Sequence, residues 1–140
     1  MIHLTLITVG DFPKGPFQEL GEKFRKRLKP FVKLDHRVVS DESKIEKQIP
    51  TGDFVIVLDE RGKSVTSKFA AQFLKRLEDD GRHITVIIGG PKGLSIKTKK
   101  KANLLLAISR MTTTHDLAHL FFLEQIYRQF TIIRGIEYHY

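Results

Sequence analysis

An α/β fold, a largely parallel sheet with helices on both faces, is predicted by three observations. Short apolar runs alternate with amphipathic stretches along almost the whole chain, the pattern of strands joined by crossover helices. Two runs, FVIVL at 54–58 and ITVII at 84–88, are unbroken and rich in β-branched residues, as strands covered on both faces are. Two loops follow such runs, one at Gly89-Gly90 and one through Arg110 to Thr114. Ligands of open parallel sheets bind beyond the carboxyl ends of the strands.

Taken in order, residues 2–9 alternate and then run apolar before Gly10-Asp11, which predicts a first strand and a loop. Pro16 opens a helix to about Lys29, with Phe17, Leu20, Phe24 and Leu28 on one face, and Pro30 stops it. Residues 32–39 predict a second, more exposed strand, and residues 43–49 a short helix ended by Pro50-Thr51-Gly52. FVIVL is the third strand, placed centrally. Residues 66–80 predict a helix with Phe69, Phe73, Leu74 and Leu77 inward and Gly81 closing it, and the strand 84–88 follows. After Gly93 a lysine-rich helical turn leads to a fifth strand at 103–108. Residues 115 to about 130 form the last helix, with Leu117, Leu120, Phe121 and Leu123 helping the core. The chain shows no repeat, low-complexity tract or linker, so residues 1–140 read as one domain.

The absence of cysteine excludes disulfides, thiolate nucleophiles and cysteine-based zinc sites, and suits a reducing compartment. The start, MIHLTLITVG, lacks a basic lead and a small-residue cleavage site and reads as a strand. No apolar run approaches the roughly 20 residues that cross a bilayer. A cytoplasmic protein without a membrane partner is expected. The net charge of +8 points to a polyanion, nucleic acid first, through steering and counterion release. Its sources cluster at Lys23, Arg25, Lys26, Arg27 and Lys29 and at Lys97, Lys99, Lys100 and Lys101, with a looser set at Arg110, Arg128 and Arg134. Each cluster taken alone also reads as a solvated face.

Gly89 and Gly90 are expected to take positive φ and to leave no Cβ against a ligand, with Pro91 fixing the turn. The loop lacks the spacing of phosphate- and dinucleotide-binding glycine motifs, and a plain structural turn is the alternative. His115 and His119 stand four apart, as in zinc proteases, but Asp116 replaces that motif's glutamate and no third ligand follows at the expected spacing. No metal is expected, and the alternative is one capping or core histidine with one exposed. Glu124 and Arg128 read as a helix-surface pair. The ending RGIEYHY carries two tyrosines and a histidine, which can stack on bases and move protons, the imidazole of His139 near neutrality. Docking of this tail on the domain or on a partner subunit is the other reading.

In this order, the parallel pattern, IIGGPKGLS, SRMTTTH, LEQIYR and RGIEYHY resemble the RlmH-type SPOUT methyltransferases over essentially the whole length. The chain is shorter than that family between Val39 and Gly52. The resemblance implies a trefoil knot in the C-terminal half, a homodimer, and methyl transfer from S-adenosylmethionine to N3 of a pseudouridine in 23S rRNA of the assembled ribosome. It places the cofactor at Leu58, Gly89, Gly90, Ile108, Ser109, Arg110, Met111, Thr112 and Thr113, segments expected to offer an apolar slot and no nearby acid. It makes His139 and Tyr138 the groups that bind the base or take its proton, and His115 a loop histidine that orders the pocket. Arg110, Arg128, Arg134, Lys23 and Arg27 are the expected RNA contacts.

Three positions depart from the family pattern: Thr114 where proline is usual, Lys92 where an acidic or polar residue is usual, and His119 where an arginine is expected. If that arginine meets RNA, Arg110, Arg128 or Arg134 must compensate. The departures motivate an alternative, a non-catalytic ribosome- or RNA-binding module of the same fold. A methyltransferase acting on tRNA or a ribose is a third reading, disfavoured because no appended RNA-binding domain is present.

Overall fold

The computed structural model describes all 140 residues. Five strands, β1 (Ile2–Val9), β2 (Val32–Val39), β3 (Phe54–Ser64), β4 (Ile84–Ile88) and β5 (Leu104–Ala107), form one sheet in the order β2-β1-β4-β3-β5. Every neighbouring pair is parallel. The helices are α1 (Pro16–Leu28), α2 (Ser67–Asp79), α3 (Ile96–Lys99) and α4 (His115–Arg134). Residues 43–49, expected to be a short helix, instead hold parts of two 3₁₀ turns, Glu42–Lys44 and Glu46–Gln48. Asp41 caps the first by accepting from the Ser43 amide, and Pro50 and Gly52 follow too closely for a longer helix to grow.

Both faces are covered, but unequally. Leu4, Leu6, Ile84, Val86 and Ile56 meet Leu28 of α1, Leu74 and Leu77 of α2, and Phe122, Leu123, Ile126 and Phe130 of α4. Helix α4 packs against both α1 and α2, so the three long helices share that face. On the other face Ile7, Val55, Val57 and Ile87 lie under Ile45 and Ile49 of the 3₁₀ segment and under Leu94 and Ala102, which flank α3.

Side-chain caps start three helices. Thr66 accepts from the Phe69 amide, Ser95 from Thr98, and Thr114 from Leu117. The threonine that departs from the family's proline is therefore the α4 cap. Gly135, at φ 68, ends α4 in the left-handed conformation.

Two elements differ from expectation in instructive ways. Strand β3 continues to Ser64, and its register against β5 shifts between Leu58 and Lys63, both of which pair with Leu106. The bulged stretch ends at Gly62, where a Cβ would lie 2.6 Å from the Leu105 backbone. Charged residues at 59–61 carry no strand signal. Helix α4 is apolar on two stripes. The buried one holds His119, Phe122, Leu123, Ile126 and Phe130, whereas Leu117 and Phe121 are nearly half exposed. Periodicity cannot tell which stripe of such a helix is core. Phe69 of α2, expected inward, is likewise 46% exposed.

Candidate active site

The bulged middle of β3 and the carboxyl ends of β4 and β5 open into one cavity of ≈ 1780 Å³. Its wall includes Leu58 from β3, Ile88 with Gly89 and Gly90 from β4, and Ile108, Ser109, Met111, Thr112 and Thr113 from the loop after β5. The exposed stripe of α4 supplies Leu117, Leu120, Phe121 and Glu124, and α1 supplies Phe17 and Phe24. Every cofactor position expected from the sequence lies in this wall except Arg110, which is exposed between two wall residues.

The glycines work differently from expectation. Neither Gly89 nor Gly90 has positive φ; Gly93 does, at 72°. The Gly93 amide donates to the Gly90 carbonyl at 3.0 Å, closing a turn with Pro91 and Lys92 at its tip. A Cβ on Gly89 would stand 2.8 Å from Leu94 Cγ, so that glycine admits the returning loop. The turn places the 88–94 backbone along the cavity wall.

Nor is the wall free of acid. Asp59, Glu60, Asp116 and Glu124 all line it. The side chain of Asp59 is only 7% exposed and meets Lys99 Nζ at 3.2 Å, which neutralises it. His115 Nε2 stands 3.4 Å from Asp116 Oδ1 at the start of α4, so this histidine does face the cavity.

Tyr138 and His139 lie outside the cavity wall, folded back along α4. The Tyr138 hydroxyl donates to Glu124 Oε1 at 3.1 Å, and its ring packs edge-on against Tyr127. Burial first, and then the neighbouring carboxylate, raise the Tyr138 pKa. Arg128 donates through Nε and Nη2 to the same Glu124 oxygen, at 3.0 and 2.8 Å, and through Nη1 to His139 Nδ1 at 3.1 Å. Glu124 is thus the joint between tail and cavity. Its i, i+4 spacing to Arg128 was visible in the sequence, but only as a surface pair.

The expected RNA contacts divide accordingly. Arg128 is occupied by Glu124, and Arg134 makes a two-pronged pair with Glu78 at 2.8 and 3.0 Å. Lys23, Arg27 and Arg110 are exposed; Arg27 lies over the rings of Phe24 and Tyr127.

A second arginine–histidine cluster sits under the loop after β1. Arg25 Nη2 donates to His36 Nδ1 at 2.8 Å and to His119 Nε2 at 3.3 Å, while His36 Nε2 meets Thr8 Oγ1 at 2.7 Å. His119 is 3% exposed and stacks on Phe12 at 3.9 Å. Burial and then the Arg25 charge push His36 down to about 4; burial, then His36 and Arg25, push His119 down to about 3. Arg25 itself is lowered by burial. The guanidinium beside position 119 therefore comes from α1, not from Arg110, Arg128 or Arg134. Nothing in the sequence signals that Arg25, His36 and His119 meet.

Comparison with known proteins agrees with this architecture. The family described as "Predicted SPOUT methyltransferase" matches residues 2–139. The ribosomal RNA large subunit methyltransferase H of Caldicellulosiruptor saccharolyticus is 36% identical, covering 97% of this chain and 99% of that protein. Its namesake from Thermotoga maritima is 44% identical over 85% of each. Among solved structures, the SpoU methyltransferase AviRb of Streptomyces viridochromogenes, in complex with AdoMet, superposes with a TM-score of 0.51 at 14% identity, over 90% of this chain and 57% of that one. A likeness at that identity speaks for the fold, and the sequence matches speak for descent. With nearly every residue inside the family match and two full-domain relatives above the level of chance resemblance, the chain belongs to the SPOUT methyltransferases.

Proposed function

We propose that this protein transfers a methyl group from S-adenosylmethionine to N3 of a pseudouridine in large-subunit ribosomal RNA, acting on the assembled ribosome as a cytoplasmic, single-domain homodimer. The observation that carries the reading is convergence. Segments far apart in the chain, at 58, 89–90, 108–109 and 111–113, form one wall at the bulge of β3 and the carboxyl ends of its neighbours β4 and β5, and Glu124 joins that wall to the aromatic tail. The names of the relatives supply the substrate class. No helix is long and apolar enough to cross a membrane.

The wall fits the cofactor. Leu58, Ile108 and Phe121 offer an apolar slot for a purine, and the irregular backbone at 108–114 and at the 90–93 turn offers polar edges. The carboxylates of Glu60 and Asp116 suit a ligand that carries an ammonium and a sulfonium. S-adenosylmethionine supplies a methyl on a sulfonium centre, whose bonding pair stays on sulfur when the methyl leaves. The cavity exceeds the roughly 300–1,000 Å³ typical of a single-ligand pocket, leaving room beside the cofactor for an everted base at the mouth on the Glu124 side, where the tail docks. Holding base and methyl donor in line is the largest service the protein provides.

The test is transfer of labelled methyl from S-adenosylmethionine to purified large ribosomal subunits and 70S ribosomes lacking the modification, with free rRNA alongside and the labelled nucleotide mapped. Label at a pseudouridine N3 on ribosomes and not on free rRNA supports the proposal. Ribosome binding with no transfer would favour the non-catalytic module, and label on a ribose or on tRNA would replace the substrate.

A further inference from the structure

The tail cluster determines more than where Tyr138 and His139 sit. A guanidinium has donors only and stays protonated, so the 3.1 Å contact between Arg128 Nη1 and His139 Nδ1 obliges Nδ1 to accept. A neutral imidazole whose Nδ1 accepts carries its proton on Nε2. Its one basic nitrogen is spoken for. Glu124 fixes this arrangement by binding Nε and Nη2 of the same guanidinium, and Gln125 Nε2 donates to the other Glu124 oxygen at 3.0 Å. Tyr138 is constrained in the same sense, because its hydroxyl already donates to Glu124 and its raised pKa keeps it protonated. Neither Tyr138 nor His139 is free to receive a proton.

We propose that Arg128 holds His139 as a hydrogen-bond donor, through Nε2–H, to a carbonyl oxygen of the target pyrimidine ring, and that His139 does not accept the N3 proton. The inference rests on the proposed methylation at N3. There the nitrogen loses its proton to water in the open mouth of the cavity and uses the freed pair to bond the methyl carbon. Between those events negative charge spreads from N3 onto the two flanking carbonyl oxygens. A donor fixed in advance opposite such an oxygen is worth more in the transition state than in the ground state. Arg128 and Glu124 are positioning residues that act through His139.

Turnover of His139→Ala and His139→Gln on unmodified ribosomes tests this, because the glutamine amide places an N–H near the position of Nε2 but offers no base of comparable strength. His139→Ala is expected to lose about 10²–10³-fold in kcat, the usual cost of one such donor, while His139→Gln stays within about 10-fold of the parent. Arg128→Met is expected to lower kcat about 10-fold alone and less than about 2-fold in the His139→Ala background, since coupled residues are not additive. Long-range 1H–15N NMR of the free protein is expected to show His139 Nδ1 unprotonated and Nε2 protonated, and a tautomer mixture in Arg128→Met. His139→Gln as slow as His139→Ala would make His139 the proton acceptor and overturn the inference. Full additivity of Arg128→Met would remove Arg128 from its role. Wild-type turnover in His139→Ala would overturn the catalytic tail altogether, a different result from a parent protein that transfers no methyl, which would reject the proposed reaction.

Discussion

Two arginine–histidine clusters are built on helix α4, and their surroundings separate them. At its start, Arg25 reaches from α1 to His36 and His119, beneath Phe12, with no carboxylate within hydrogen-bond distance. Near its end, Arg128 reaches His139 with its charge met by Glu124, a residue of the cavity wall. Both arginines donate to an imidazole nitrogen. The first cluster ties α1, β1, β2 and α4 together through neutral rings held inside the fold. The second ties a chain end to a ligand-sized opening, with its charge balanced so that the tail docks without a buried unpaired ion. Cation–imidazole contacts of the same chemistry thus sit in the core in one place and, in the proposed reaction, beside the substrate in the other.

The largest expected separation comes from removing Tyr138, His139 and Tyr140. Turnover should fall by more than about 10²-fold, while calorimetric affinity for S-adenosylmethionine stays within about 3-fold, because none of the three lines the cavity. Unchanged turnover would erase the distinction between the clusters.

At the other cluster, His119→Ala should cost stability instead. It leaves a void beneath Phe12 and strips Arg25 of one acceptor, together about 2–4 kcal/mol by chemical denaturation. A loss under about 0.5 kcal/mol would mean the cluster is incidental to the fold.

Acid should discriminate next. His36 and His119 bind protons more weakly folded than unfolded, so the stability they permit is complete above their ordinary 6.5 and is lost as pH falls toward about 4 and about 3. Allowing for solvent screening at His36, roughly 2–3 kcal/mol should be gone by pH 5, seen as a melting temperature lower by about 8 °C. Glu42, Glu46 and Glu78, also held low, add their loss only below about their ordinary 4.5. A melting temperature flat from pH 7 to 5 would contradict the neutral-ring assignment.

The smallest effect is expected at Arg134→Ala. Its pair with Glu78 is largely at the surface, worth about 0.5 kcal/mol, and RNA affinity should hardly move because that guanidinium is already engaged. A large drop in ribosome affinity would restore Arg134 as an RNA contact.

Much of the molecule was legible in its sequence, for identifiable reasons. Strands β1, β2 and β4 appear at 2–9, 32–39 and 84–88 as expected, because unbroken or alternating apolar runs leave little choice of state. The cavity wall was legible from the loops after the runs at 84–88 and 103–108. What was hidden depends on contacts between distant residues. The bulge in β3 is accommodated by Gly62 against Leu105, a relation no local pattern carries. The stripe of α4 that faces the core is chosen by α1 and α2, not by its own periodicity. Arg25, His36 and His119 come from three elements, 11 and 94 positions apart in their hydrogen-bonded pairs. Thr114 looked like a departure and is a helix cap.

The most direct measurement compares Arg25→Met with Arg128→Met, recording melting temperature and kcat on unmodified ribosomes for each. The division between the two clusters predicts that Arg25→Met lowers the melting temperature by several degrees with kcat within about 3-fold of the parent, and that Arg128→Met lowers the melting temperature by less while kcat falls about 10-fold. The reverse pattern, or equal effects on both quantities in both variants, would contradict it.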